Sequence, residues 1–471
     1  MKIFFVLALL ASSIAISSSL AKNENTLHIY RKPHRYLSEP EQRQATRNGG
    51  RFVAGRMIPL NGNLFQLGAY FVNVYVGSQG PFNVIIDTGS ANFAIPTSGC
   101  QTCNSKIYYD PSSSKTFSQM SCESEACHRC TPLPMAKPSN SSSSGYSRKN
   151  QRSVDLVVSN DKSDEFPSAR PSSCVFGPTR CYHKAGQCGM GITYGGGSSE
   201  FGGSYGTDIV SIGGLSAPAT VGLIYEEYPS GSFGDGILGL NYPFNACNPT
   251  CVAPLIDSFV QSGALQNNLF GMCLTQNNGG ALDFGFFDSA KYSGALQWVP
   301  VSFQRWYNFD IVSIVVGSTS IGLPQYTYAT TNDVIGSFVD SGTSIILTGP
   351  LIFSAIQNVF QTQYSSLPGV MNGFFGNSSC ISAATMGNHL SQFPAIHFIA
   401  AGEDSTLVDL AVPPSDYLMF YEGQYCLGIA PTASLGVILG DVFLQSYYVA
   451  YDRYNARLGF APVNQANCKG N

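Results

Sequence analysis

The chain has 471 residues, only 11% of them charged, and a formal net charge of −4 at pH 7. That length exceeds what one hydrophobic core usually serves, so two domain-sized units are expected. The acidic balance excludes the basic footprint of a nucleic-acid-binding chain. With 49 glycines, 25 tyrosines and 30 phenylalanines, the composition favours an all-β chain with many turns.

Met1-Lys2 precedes an apolar run over residues 3–10, followed by Ser- and Ala-rich sequence ending at Ser19-Leu20-Ala21. A basic start, a short apolar stretch and a small-residue end read as a secretory signal peptide over residues 1–21. The run is too short, and too interrupted by serine, to span a bilayer. No other long apolar run follows and the end, residues 467–471, is polar, so no membrane anchor is expected. Residues 22–57 read as a removable pro-segment, with eight Lys/Arg against three Glu, while the body from residue 58 carries −10. A basic leader on an acidic body suggests electrostatic docking that protonation of the body's carboxylates would weaken.

Residues 68–77 alternate in the manner of a strand, and residues 82–86 form the next. This second strand delivers Asp87 into the tight turn Asp87-Thr88-Gly89-Ser90. Five cysteines lie between Cys100 and Cys130, in a loop-rich, cross-linked segment. Residues 131–172 are rich in Ser, Pro and Lys and read as an insertion, with residues 154–158 as an isolated strand inside it. Residues 192–194 and 205–214 predict a hairpin around the flexible tip Gly195-Gly196-Gly197. An apolar run pinned by glycines follows at 234–240, then helical spacing over 254–263. The change of lobe is placed at 265–271, dividing the body into 58–268 and 269–471.

The second half repeats the order. Strands are expected around 298–301 and over 309–316, a second acid follows in Asp340-Ser341-Gly342-Thr343, and an amphipathic helix spans 351–364. Residues 436–440 repeat the earlier apolar-apolar-Gly run. From acid to that glycine is 152 residues in the first half and 100 in the second, and the insertion accounts for most of the difference. Two diverged copies of one unit explain this pattern.

Two carboxylates brought together by two lobes make a general acid/base pair, because like charges at close range cannot both ionise easily. The ionised acid can draw a proton from water while the protonated one donates to a carbonyl oxygen. Gly89 and Gly342 would let each turn pass close to the other lobe. Thr88 and Ser341 can hydrogen-bond across the junction, and Ser90 and Thr343 can orient the acids.

Fourteen cysteines behind a signal peptide read as disulfides. Cys100-x-x-Cys103 and Cys127-x-x-Cys130 have zinc-ligand spacing, but in a secreted chain disulfides are the better reading. Cys247 and Cys251 suit a small closed loop, and no metal or organic cofactor is called for. Asn140 and Asn377 open glycan acceptor sequons. Gly202-x-Ser204-x-Gly206 matches a serine-hydrolase elbow, a motif that needs strand, sharp turn and helix; here it lies between hairpin tip and strand. His128, His183, His389 and His397 are scattered and read as surface or packing residues.

The two acid motifs, the hairpin Tyr194-Gly195-Gly196-Gly197-Ser198, and residues 443–461 together resemble the pepsin-type family of aspartic proteases, over about residues 68–468. The Cys-rich stretch with Tyr109-Asp110-Pro111 is closer to the plant-type branch. The resemblance implies an all-β, two-lobed pepsin-like fold with internal duplication and a few short helices. It implies an aspartic endopeptidase that cleaves polypeptide substrates in acid with a water held by Asp87 and Asp340. Tyr194, Gly195 and Gly196 would belong to a substrate-binding flap, and the pro-segment would act as the zymogen's own inhibitor. It also pairs Cys380 with Cys426 and Cys273 with Cys468, and suggests a monomer, extracellular or in a lysosomal or vacuolar lumen. Many relatives carry tryptophan seven residues after the first acid, where it supports the flap tyrosine; Ala94 stands there, so support must come from elsewhere. A family member that only binds, such as an inhibitor or receptor, would be expected to lack one acid, and both are present.

Overall fold

The computed structural model describes residues 55–64, 68–129, 132–136, 186–194, 198–231, 233–247, 250–276, 279–329, 335–376, 379–432 and 436–469. The expected signal peptide, most of the expected pro-segment, residues 154–158, Asn140, Asn377, Gly195 and Gly196 lie outside them.

The described chain is mostly strand. In Ala69–Val76 the residues Tyr70, Val72, Val74 and Val76 are buried and their neighbours more exposed, the period-2 pattern of a strand with one face on a core. Gln79–Asp87 repeats it with Phe82, Val84 and Ile86 inward. Among the described residues the largest sheet has fourteen strands and draws on both halves of the chain. Arg56–Asn63 is its hinge strand: residues 56–60 pair with Gly280–Phe284, and residues 61–63 pair with residues 69–71. The sequence shows no strand there, because only Ile58 and Leu60 are buried apolar residues and the main partner lies far downstream. Arg56 and Met57, at the expected end of the pro-segment, are already in this strand.

Each half contains the same small unit. In the first, Gln79–Asp87 pairs in parallel with Ile237–Gly239, with Asp87 opposite Gly239. Ile237–Gly239 pairs antiparallel with Phe93–Pro96, which pairs in parallel with Leu215–Tyr228. In the second, Phe338–Val339 pairs in parallel with Val437–Leu439, which pairs antiparallel with Ile346–Thr348, itself parallel to Ile429–Pro431. The duplication legible in the sequence is therefore a duplication of strand order. Ile237–Gly239 and Val437–Leu439 are buried throughout, which is why both read as continuous apolar runs.

The two longest of the helices among the described residues are Leu255–Gln261 and Pro350–Gln363. Pro350 opens the second, where a missing N–H costs nothing. Its buried face is Ile352, Ile356, Val359 and Phe360; Leu351, which the apolar pattern also takes in, is exposed. Disulfides join Cys100 to Cys103, Cys127 to Cys188, Cys247 to Cys251, Cys273 to Cys468, and Cys380 to Cys426. Cys127 thus reaches Cys188, just before the strand Gly189–Tyr194, rather than its neighbour Cys130. No helix among the described residues is long and apolar enough to cross a membrane.

Candidate active site

Asp87 ends its strand and Asp340 follows Phe338–Val339, each entering a tight turn. Both carboxyls are buried, at 3% and 9% exposure. The Gly89 N–H donates to Asp87 Oδ1 at 2.7 Å and the Ser90 hydroxyl to Oδ2. The second turn repeats this, with the Gly342 N–H donating to Asp340 Oδ1 at 2.8 Å and the Thr343 hydroxyl to Oδ2 at 2.7 Å.

The two turns are locked by a reciprocal set of bonds. The Thr88 N–H donates to Ser341 Oγ at 3.1 Å, and the Ser341 N–H donates to Thr88 Oγ1 at 3.0 Å. Each hydroxyl then donates across the junction, Ser341 to the Ile86 carbonyl at 2.9 Å and Thr88 to the Val339 carbonyl at 3.4 Å. The glycines matter because of what lies beside them. A Cβ on Gly89 would stand 2.6 Å from Asp340 Oδ1, and one on Gly342 would stand 2.5 Å from Asp87 Oδ1. Each glycine thus leaves room for the other motif's carboxylate.

Gly239 and Gly440 allow a close approach of another kind, to the backbone that follows the acid in their own half. A Cβ on Gly239 would meet the Ala91 and Asn92 backbone at 2.6 Å, and one on Gly440 the Thr343 carbonyl at 2.3 Å. Asn241, which the sequence did not single out, ties the first turn down. Its N–H donates to the Ser90 carbonyl at 2.9 Å and its Nδ2 to the Thr88 carbonyl at 2.8 Å. Its place two residues past Gly239 is the only sequence signal.

Tyr194 ends Gly189–Tyr194, paired with Ser199–Ile212 in the hairpin. Its hydroxyl lies 3.4 Å from Ser90 Oγ. Its ring rests on Phe233 and Phe201, with centroids 5.3 and 5.9 Å away. Ala94 is fully buried, opposite Gly222 in the parallel pair. Tyr194 is therefore held by two phenylalanines and the serine beside Asp87. Ser204 is buried inside the long strand, opposite Leu223, so the elbow motif has no strand-turn-helix. His397 faces Asp409 at 2.9 Å and His128 is exposed; His183 lies outside the described residues. Among those residues no cluster of His, Cys, Asp and Glu could hold a metal ion.

A third acid stands behind the pair. Asp441 is fully buried and neither carboxyl oxygen has a hydrogen-bond partner. Burial, then the charges of Asp340 and Asp87, hold it protonated well above the usual carboxylate range. Asp87 is pushed up by burial first and by the Asp340 charge next. The consequence for stability has a definite sign. The fold keeps protons on Asp87 and Asp441 that the unfolded chain releases above a pH of about 4. Stability is then greatest in acid and falls as pH rises toward neutrality. Thermal melts at about pH 4 and about pH 7 should show the lower midpoint at the higher pH; an equal or higher midpoint there contradicts the buried-acid account.

Two buried carboxyls in symmetric cradles, one from each half, lie with an aromatic hairpin beside them, an arrangement that can do general acid/base chemistry. A family model described as eukaryotic aspartyl protease matches residues 69–126 and 153–463. The chain is 32% identical to pepsin A of Bos taurus over 286 residues, 58% of this chain and 68% of that protein. It is 31% identical to cathepsin E of Aquarana catesbeiana over 282 residues, 57% of this chain and 64% of that protein. With gastricsin of Homo sapiens the identity is 26% over 409 residues, 83% of this chain and 81% of that protein. The chain belongs to the eukaryotic aspartyl protease family and is an aspartic endopeptidase acting on polypeptides.

Proposed function

We propose that Asp87 and Asp340 share one proton and activate one water, and that the chain is made as a zymogen active in acid. The observation that carries this reading is the reciprocal Thr88–Ser341 lock, which fixes two buried carboxyls side by side. Two charges so placed, with little water to screen them, cannot both persist, so the pair titrates as a unit. The ionised member takes a proton from the water as its oxygen attacks the peptide carbonyl carbon. The protonated member gives its proton to the carbonyl oxygen, leaving a neutral tetrahedral diol. Return of a proton to the nitrogen and collapse of the diol break the C–N bond. Tyr194, with Gly195 and Gly196, would close over the peptide and exclude water.

The basic leader over residues 22–57 would cover the acidic body until acid neutralises the carboxylates it faces. Lobes of 58–268 and 269–471, N-glycans at Asn140 and Asn377, a monomeric state, and residence outside the cell or in a lysosomal or vacuolar lumen complete the proposal.

Full-length protein incubated at about pH 3 to 5 should hydrolyse denatured globin and be blocked by a statin-type peptide. Hydrolysis that persists near neutrality and ignores the inhibitor would sink it.

A further inference from the structure

Arg305 is an arginine whose charge the rest of the described chain does not answer. It sits after the strand Gln297–Pro300, in a loop where Tyr307 adopts a φ of 54°. Tyr307 donates its hydroxyl to the Leu240 carbonyl at 2.7 Å, and Asn245 Nδ2 donates to the Arg305 carbonyl. The loop is thus tied to the segment that follows Gly239 in the first half. On its other side the Trp306 ring stacks on Phe338, centroids 6.1 Å apart, and Phe338 stands two residues before Asp340. The loop therefore spans the seam between the halves, beside the strand that carries the second acid.

The guanidinium itself bridges that seam. Its central carbon lies 3.9 Å from the Trp306 ring and 5.0 Å from the Phe244 ring, one from each half. Phe303, largely exposed, packs against Phe244. Arg305 is half-buried, and its Nε is buried with no acceptor. Among the described residues it makes no ion pair and donates no side-chain hydrogen bond. Stacking between rings fixes the planar fork without using its donors. That Nε is closed to a ligand as it is to water, whereas the two Nη groups are not, and they have no partner among the described residues; a ligand that supplies acceptors would answer them.

We infer that Arg305 is a specificity-determining residue that receives a carboxylate of the bound polypeptide, from an Asp or Glu side chain or from the peptide's own C-terminus. The guanidinium matches a carboxylate in two parallel N–H···O bonds, and its stacking on the Trp306 ring holds the fork in place to make them. This rests on the reading that peptides bind at the junction carrying Asp87 and Asp340.

The test uses non-hydrolysable peptides with a reduced scissile bond, so that binding is read without cleavage. Pairs differ only by Glu against Gln at one position, three residues either side of the bond, and a further pair has a free or amidated C-terminus. Titrations run on acid-treated full-length protein at about pH 5.5, where a glutamate is ionised. At one position, or at the C-terminus, the carboxylate peptide should bind about tenfold tighter, the scale of one charge-assisted hydrogen bond. In Arg305→Gln that ratio should fall to about one. Arg305→Lys, which keeps the charge but not the fork, should show an intermediate ratio and covers the case in which Arg305→Gln folds poorly. In cleavable versions the preference should appear in KM rather than kcat. The inference is overturned if no pair shows a preference, or if the ratio is unchanged in the variants. Failure of the wild-type protein to cleave any peptide would instead count against the paired-acid reading, and the binding ratios would still judge Arg305.

Discussion

Asp87→Asn, and separately Asp340→Asn, should each lower kcat by at least about 10⁴-fold while leaving the protein folded. The asparagine keeps the shape of the side chain, and its oxygen can still accept from the Gly89 or Gly342 N–H that now bonds Oδ1. The Ser90 and Thr343 hydroxyls, which now donate to Oδ2, can turn and accept from the new amide instead. What is lost is the ability to hand over and take back one proton. Because burial and the neighbouring charge already penalise ionisation of Asp87, a neutral amide there should not lower the melting temperature and should raise it near neutrality. The measurement is single-turnover cleavage of a defined peptide in acid beside a thermal melt of the same sample. Cleavage within tenfold of wild type in either variant would remove that residue from the chemistry.

The largest expected effect on stability lies away from the carboxylates. Arg453→Met should destabilise the fold by about 3–5 kcal/mol, the cost of leaving a buried charge without its partner. Arg453 is fully buried and follows the strand Tyr447–Asp452. Its Nη2 donates to Asp257 Oδ2 at 2.7 Å and to the Asn241 carbonyl at 3.0 Å, and its Nη1 donates to Asn268. Asp257 lies in the helix Leu255–Gln261 and also accepts from Asn268 Nδ2 at 3.0 Å. One guanidinium therefore joins the end of the second half to the helix of the first and to Asn241, which grips the turn after Asp87. The paired replacement Arg453→Met with Asp257→Leu should recover much of the loss, since it removes both charges. Denaturant titration of the two variants decides: a loss below about 1 kcal/mol for the single change, or a double change worse than the single, contradicts the account.

Local chemistry carried much of this in the sequence. An apolar strand ending in an acid, a hydroxyl residue and a glycine is a short-range pattern, and its recurrence announced both the duplication and the pair. The helix face of Ile352, Ile356, Val359 and Phe360 was legible for the same reason, since a period of 3.6 needs only neighbours a few residues away. Leu351 shows the limit, because the pattern could not say on which side the core lay. The roles of Asn241, Asp441, Phe233 and Arg453 were decided only by tertiary structure, as were the strand at Arg56 and the pairing of Cys127 with Cys188. Each depends on which distant surface arrives beside it, and composition or periodicity carries no record of that. Asp87 and its turn are written in seven consecutive residues; what buries Asp87, and what leans over it where Ala94 replaces a tryptophan, is supplied by chains of contacts more than a hundred residues apart.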